Sequence, residues 1–378
     1  MAVALATVAR EWGRIGTIGF GGPPAHVALL RELCVERRGW IDATEFEDAN
    51  AACGLLPGPA STQLSIYCAH RVAGVPGALV GGLAFILPGL LIILVLAGTA
   101  LAGGAPEWLL AAGAGAGATV VPVIADAGVA LARSSLARHA GWRMVRAVAY
   151  MAVGVAAAIF AGLGVLLALL ACGLVELAIR RAPPRIGSSN PAVHAWPVLF
   201  AAAAQLAPLA WTALKVGALS FGGGFVIIPL MQADAVDARG WMTHAEFLNA
   251  VAFGQITPGP VTHTVAVVGW AADGLPGALL ASAIAFAPSF VLVLLLAPRF
   301  AALRASVPAR AFLDGAGPAA VGAILGAAVV LLDGVDHAWQ WVLLGLAAGA
   351  LLLGRRPIEV LLTGFVAGIV LWALGAPV

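Results

Sequence analysis

Two Pro-Gly-Pro triplets, Pro57-Gly58-Pro59 and Pro258-Gly259-Pro260, stand inside apolar runs, and polar side chains follow each at once: Thr62 with Gln63, and Thr262 with His263. Two glycine corners accompany them, Phe20-Gly21-Gly22 and Phe221-Gly222-Gly223-Gly224, with His26 after the first and Ser220 before the second. Proline ends a helix and removes a backbone donor, and glycine lets bare backbone approach a ligand. A helix that restarts after such a break directs unpaired N–H groups and the positive end of its dipole at one point. Arg14 lies six residues before Phe20, and Lys215, the one lysine of the chain, lies six before Phe221. Backbone N–H groups, hydroxyls and a cation from each side are a chemistry suited to a small oxyanion. Asp126, an acid in an apolar stretch whose counterpart is Gly326, is the candidate for carrying a proton.

Each of these residues also has a structural reading. Gly and Pro permit kinks and close helix packing. Arg14 can pair with Glu11 or reach a headgroup, Asp126 can pair with an arginine near Arg133, and a lone histidine is often a satisfied polar group. A single corner does not separate the two readings; a symmetric set of four favours a site. Asn50, Asn249, Gln255 and Ser61 are further neutral donors, while Glu45 and Glu246 are expected to stabilise helix starts.

The elements that position these residues follow from composition. The chain has 378 residues, 62% hydrophobic and 10% charged, against about 25% charged in a soluble domain. It cannot cover itself with polar surface, so a lipid bilayer is its expected surroundings, and apolar runs of about 20 residues favour helices over a barrel. The net charge of +2 shows no nucleic-acid patch, and Cys34, Cys53, Cys68 and Cys172 have neither metal-ligand spacing nor an expected disulfide. The first 22 residues read as the opening helix rather than a cleavable leader, because they recur later. No phosphate loop, paired carboxylates, metal-spaced His/Cys set or activated nucleophile is present, so no cofactor is expected and a membrane enzyme is disfavoured.

The chain contains one unit twice. Phe20-Gly21-Gly22, Arg38-Gly39-Trp40, Glu45-Phe46 and the first Pro-Gly-Pro recur at an offset of 201; Thr62, Gly74, Pro76-Gly77-Ala78 and Pro88 recur at 200. The expected units are 1–180 and 195–378, joined by a Pro-, Ser- and Arg-rich linker at 181–194. Each carries a helix (about 2–20, 196–220), a short apolar segment (24–36, 225–236), two long helices (46–72 with 76–101, 246–271 with 275–298), a fifth (108–131, 310–332) and two shorter ones (146–160 with 163–179, 338–353 with 358–375). Arg133, Arg138, Arg143 and Arg146 follow the fifth helix of the first unit, where the second has Asp333 and Asp336; Arg299, Arg304 and Arg310 follow the fourth helix of the second unit, where the first has none. Equivalent loops with opposite bias imply inverted copies, and with them an odd number of crossings per unit, about seven if the short segment after Phe-Gly-Gly crosses or pairs with a half-helix. The expected fold is therefore an all-α polytopic membrane protein of two inverted repeats, with about 12–14 transmembrane helices including broken or re-entrant segments.

Phe20-Gly21-Gly22-Pro23, Gly39-Trp40, Glu45-Phe46, "LLPGPASTQLSIY" and "PGALVGGLAFILPG" in the first half, with "SFGGGFVIIPLM", "GWMTHAEFLNAVAFGQITPGPV" and "GLPGALLASAIAFAPSF" in the second, resemble the chromate ion transporter family. The resemblance covers both halves, as in long-chain members of that family. It implies halves of opposite topology, a multi-pass protein of the bacterial inner membrane, and export of chromate from the cytoplasm driven by membrane potential or proton gradient, conferring chromate resistance. Sulfate, a tetrahedral dianion of similar size, is the alternative substrate. A homodimer is the assembly such folds commonly form.

Overall fold

The computed structural model describes residues 3–54, 56–101, 105–160, 164–180, 207–220, 224–297, 300 and 306–377. Among them the secondary structure is helical, with no strand. The first repeat holds α1 (Leu5–Ile18), α2 (Pro23–Arg31, continued by a π-helical turn, Glu32–Arg37), α3 (Ala43–Cys53), α4 (Ala60–Leu101), α5 (Glu107–Ala137), α6 (Trp142–Phe160) and α7 (Gly164–Ile179). The second holds α8 (Ala207–Leu219), α9 (Ile227–Gln232, with a π turn at Ala233–Ala238), α10 (His244–Ile256), α11 (Thr264–Leu296), α12 (Val307–Val330), α13 (Ala338–Leu352) and α14 (Pro357–Ala373). The π turns fall at the same place in both repeats.

Among the described residues five helices, α4, α5, α6, α11 and α12, are long and apolar enough to cross a membrane, and α7, α13 and α14 are shorter apolar helices. The elements around the corners are of another kind. α1 has 14 residues and α3 has 11, about 21 and 17 Å at 1.5 Å per residue, too short for a hydrocarbon core of about 30 Å. They are arms of re-entrant hairpins. α1 and α2 fold back on each other about the Phe20-Gly21-Gly22 corner. Their open ends are joined by the Glu11–Arg38 ion pair (2.6 Å) and by Trp12 stacked on Trp40. α3 and the first arm of α4 fold back about Pro57-Gly58-Pro59, and Glu45 binds Tyr67 (3.0 Å) and Arg71 across the open end. α4 then reverses at Ala73 and Gly74 (φ +66), just before Pro76, and α11 reverses in the same way at Asp273, Gly274 (φ +57) and Pro276. The two long helices expected over 46–72 and 76–101 are thus two short hairpin arms and one full-length segment, and of the two expectations for the short segment after Phe-Gly-Gly, crossing or pairing with a half-helix, the structure has the second: α2 returns along α1.

Contacts between the halves establish inversion. Tyr67, at the open end of the first repeat's hairpin, stacks on Phe300, beyond the far end of α11. A Cβ at Gly98, near the far end of α4, would reach Trp270, at the open end of the second repeat's hairpin, at 2.9 Å. One face therefore gathers Arg38, Arg71, Arg146, Arg180 and Arg310, and the other gathers Glu107, Asp273, Asp333 and Asp336. α7 ends on the arginine-rich face and α8 starts from the other; the connection, which includes the expected linker at 181–194, lies outside the described residues.

The repeats also exchange packing partners. α12 of the second repeat packs on α6 and α7 of the first, and α5 packs on α13 and α14. Glycine makes this close: Gly154 lies against the Ala319 backbone and Gly322 against Met151, while Gly364 and Gly368 lie against Gly115 and Ala111. Without a hydrophobic drive between helices in lipid, such close backbone approach is what associates them. An ion cluster centred on the buried Glu176 seals the first interface. Glu176 accepts from Arg146 (2.8 and 3.0 Å), Arg180 (2.9 Å) and Tyr150 (3.1 Å), and Arg180 pairs with Asp314 at 2.7 Å.

Helix starts are capped as the chemistry requires. Thr243 and Glu246 form a reciprocal capping box on α10. α3 is capped by Asp42, which accepts from the Thr44 N–H at 2.8 Å, leaving Glu45 free for Arg71.

Candidate functional site

The two Pro-Gly-Pro corners meet at the junction of the repeats. α4 starts directly after Pro59, so the N–H groups of its first turn have no intrahelical acceptor. Gln63 folds back and donates to the Pro57 carbonyl (2.7 Å), which holds the corner shut. Gly58 has φ +119, and a Cβ there would stand 2.6 Å from Gln63 Nε2 and 3.1 Å from the Gly217 carbonyl. The second corner is tied to the first repeat directly: the Gly259 N–H donates to the Gly19 carbonyl at 3.0 Å. The same carbonyl accepts from His26 Nε2 at 2.9 Å. A carbonyl only accepts, so Nε2 carries the proton and Nδ1 accepts from Ser61 Oγ (3.1 Å). His26, with no exposed surface, is therefore a brace between the Phe-Gly-Gly corner, the start of α4 and, through Gly19, the other repeat.

Around this junction lie buried polar atoms that have no hydrogen-bond partner among the described residues: Thr62 Oγ1, Gln63 Oε1, Thr262 Oγ1, both ring nitrogens of His263, and Ser289 Oγ. All five residues are 0% exposed. Leaving one such group unpaired costs about 1–3 kcal/mol. Several of them gathered beside the unpaired N–H groups of a helix start make this junction the candidate site for a polar ligand. The corners also interlock unequally. Gly89 lies against the Pro258 carbonyl and His263, where any Cβ would overlap. Its counterpart Ser289 faces Gly58, whose Cβ would stand 3.4 Å from Ser289 Oγ.

A cavity of about 550 Å³ adjoins the junction, lined by Gly21, Gly22, Asn50, Asp126, Phe225 and Gln255 among others. It brings the first Phe-Gly-Gly corner and Phe225 of the second repeat to one space, and the Gln255 Nε2 amide there is buried without a partner among the described residues. Asp126 projects into it from α5. Pro57, Pro59, Pro258 and Pro260 form the turns themselves, and Gly224 (φ +91) packs against Val261 and Thr262. Ser220 Oγ is turned back to the Val216 carbonyl (2.5 Å). Phe20 is exposed. Gly222 and Gly223 lie outside the described residues.

The two cations are not brought together. Arg14 is exposed and lines a small cleft with Glu32 and Arg37. Lys215 is 5% exposed, but Asp234 lies 2.5 Å from its ammonium and also accepts from Thr212 at 2.6 Å. Asp234, Gly19, Gly89 and Ser289 escaped the sequence reading. Ser289 was within reach, because it occupies position 89 of the first repeat at the offset of 200; Asp234 replaces Leu33, so the repeat arithmetic conceals it. Among the described residues no group of three or more His, Cys, Asp or Glu could hold a metal ion.

The family described as chromate transporter matches residues 6–177 and 207–371. The chromate transport protein of Cupriavidus metallidurans is 34% identical over 90% of this chain and 86% of its own length. A probable chromate transport protein of Synechococcus elongatus is 30% identical over 98% and 97%. The chromate transport protein of Pseudomonas aeruginosa is 29% identical over 82% and 77%. No solved structure matches. With both halves matched and the two repeats inverted about paired corners, this chain belongs to the chromate transporter family.

Proposed function

We propose that the protein is a secondary transporter that carries chromate, a tetrahedral dianion, out of the bacterial cytoplasm across the inner membrane. The observation that carries the reading is the set of unpartnered buried polar groups where the Pro-Gly-Pro corners of the inverted repeats meet. Hydroxyls at Thr62, Thr262 and Ser289, the N–H groups at the start of α4 and the imidazole of His263 supply donors for an oxyanion. The units taking part are 1–180 and 195–378. With Lys215 held by Asp234 and Arg14 facing outward, recognition in this conformation falls to neutral donors.

The arginine-rich face is the cytoplasmic one by the positive-inside rule, and the 550 Å³ cavity is the route from it. A negative-inside potential favours outward movement of a dianion by about 4.6 kcal/mol per 100 mV. Asp126, on the wall of that cavity, is placed to take up a proton for coupling. The test is chromate uptake into inverted membrane vesicles at a set potential, with sulfate as competitor. Potential-driven chromate uptake that excess sulfate leaves intact supports the reading; sulfate uptake alone moves the substrate to sulfate, and transport of neither overturns it.

A further inference from the structure

A second cavity of about 360 Å³ lies between α5, α13 and α14, away from the corners. Its walls are mainly apolar, including Leu343, Leu346, Ala347 and Val360, with the hydroxyls of Thr119 and Thr363 among them, and its mouth carries Arg355 and Glu359. The exchange of packing partners explains why it is there. On the first repeat's side, α6 seats against α12 backbone to backbone through Gly154, Gly322 and Gly326. The equivalent helix α13 has no such seat on α5: a Cβ at Gly345 or Gly349 would meet nothing within 4 Å, and α13 is instead tethered near its start by Gln340, which donates to the Ala114 carbonyl at 3.3 Å. A gap is left in the second repeat that the first repeat has closed.

The gap opens sideways as well as toward the arginine-rich face. Leu346 on its wall is 65% exposed, so the groove is continuous with the surface that faces hydrocarbon. Its volume is within the range of about 300–1,000 Å³ usual for small-molecule sites. Of the charges at the mouth, Glu359 lies 4.0 Å from Arg356, whereas Arg355 makes no ion pair with any described residue. At the mouth two arginines, Arg355 and Arg356, stand against one carboxylate, Glu359; a largely apolar slot reached from the bilayer and ending at this net positive charge matches an amphiphile with an anionic head.

We infer that this groove binds an anionic phospholipid of the leaflet on the arginine-rich side, with an acyl chain between α13 and α14 and the phosphate on Arg355. α14 is then a shared wall: Val360 and Gly364 face the lipid, while Pro357, Ile358 and Leu361 line the 550 Å³ cavity that also holds Asp126. The lipid backs the helix that borders the proposed substrate route, but its binding requires neither the oxyanion nor transport.

The test is native mass spectrometry of the purified full-length chain released from nanodiscs of equal phosphatidylglycerol and phosphatidylcholine, with no oxyanion present. Phosphatidylglycerol is expected to be retained in preference to phosphatidylcholine. Arg355→Ala, an exposed substitution that leaves the core untouched, is expected to lower that retention about fivefold, the worth of one basic residue at a membrane surface. Ala350→Phe, which fills the slot, is expected to remove it, and Arg356→Ala to leave it unchanged. Equal retention of the two lipids by the unmodified chain, or equal losses from Arg355→Ala and Arg356→Ala, overturns the site. So does a lipid-free dimer, which would give the face to a second copy. Because the readout is lipid mass, it can fail while chromate uptake succeeds, and the reverse.

Discussion

The first two arms of each repeat, α1 with α2 and α8 with α9, are stapled by an ion pair, and the polarity is opposite. In the first repeat the acid is on the outgoing arm and the base on the return: Glu11 meets Arg38, whose side chain is 39% exposed. In the second the base is on the outgoing arm and the acid on the return: Lys215 meets Asp234, and both are nearly buried. Glu11 aligns with Thr212, and Lys215 with Arg14. Thr212 still serves the staple, now as a donor to Asp234. The backbone device was duplicated and its electrostatics were not. Glu11 is as buried as Asp234, with its side chain 8% exposed, so the contrast lies in the bases: a pair whose guanidinium reaches solvent is the weaker tether, because water and salt screen it. A buried pair is worth little relative to a neutral pair of the same shape, yet breaking one side strands a charge.

This contrast sets the size of the expected effects. Lys215→Ala strands Asp234 in the second hairpin and should cost about 3–5 kcal/mol, read as a large drop in thermal unfolding temperature in detergent. The double variant Lys215→Met with Asp234→Leu should recover most of it. If the single and double variants are equally unstable, the staple is not an ion pair in energetic terms.

Next come the interlocked positions 89 and 289. Gly89→Ser should cost about 1–3 kcal/mol through overlap with the Pro258 carbonyl and His263, whereas Ser289→Gly should leave stability intact and weaken oxyanion uptake. Equal tolerance at both positions would remove the structural asymmetry between the corners. Thr62→Val and Thr262→Val test the opposite idea, that the corners share the ligand. Each should raise the KM for chromate about tenfold, in line with loss of one hydrogen bond to an anion, with unfolding temperature unchanged because neither hydroxyl has a described protein partner. An effect from one threonine alone would assign the ligand to one repeat. The smallest change expected is Glu11→Gln, about 1 kcal/mol, because Arg38, 39% exposed, stays solvated when the buried carboxylate is neutralised; a loss as large as that from Lys215→Ala would mean that solvent access to Arg38 does not weaken the staple.

The ranges of α5, α6, α7, α12, α13 and α14 were legible to within a few residues, because apolar run length and breaker residues are local signals. The duplication and its inversion were legible for a different reason: arginine bias is a property of loops and survives without knowledge of packing. The hairpins were harder to read. The stretch from Glu45 to Val72 has the length and composition of a crossing helix, and it is Glu45 meeting Arg71 that shows the chain has turned back.

By itself the sequence determined the membrane class, the two inverted units, and the corners at Phe20-Gly21-Gly22, Pro57-Gly58-Pro59 and Pro258-Gly259-Pro260, since each rests on residue type and register along the chain. Tertiary structure alone decided that Arg14 faces outward while Lys215 finds Asp234, that His26 is spent as a brace while His263 is left unpaired, and that Ser289 comes up against Gly58. The physical reason is that an offset of 201 or 200 fixes which residues correspond, but not which way a helix is rotated or what lies against it. Those are set by contacts between the halves, where a single glycine such as Gly89 decides how closely two backbones approach.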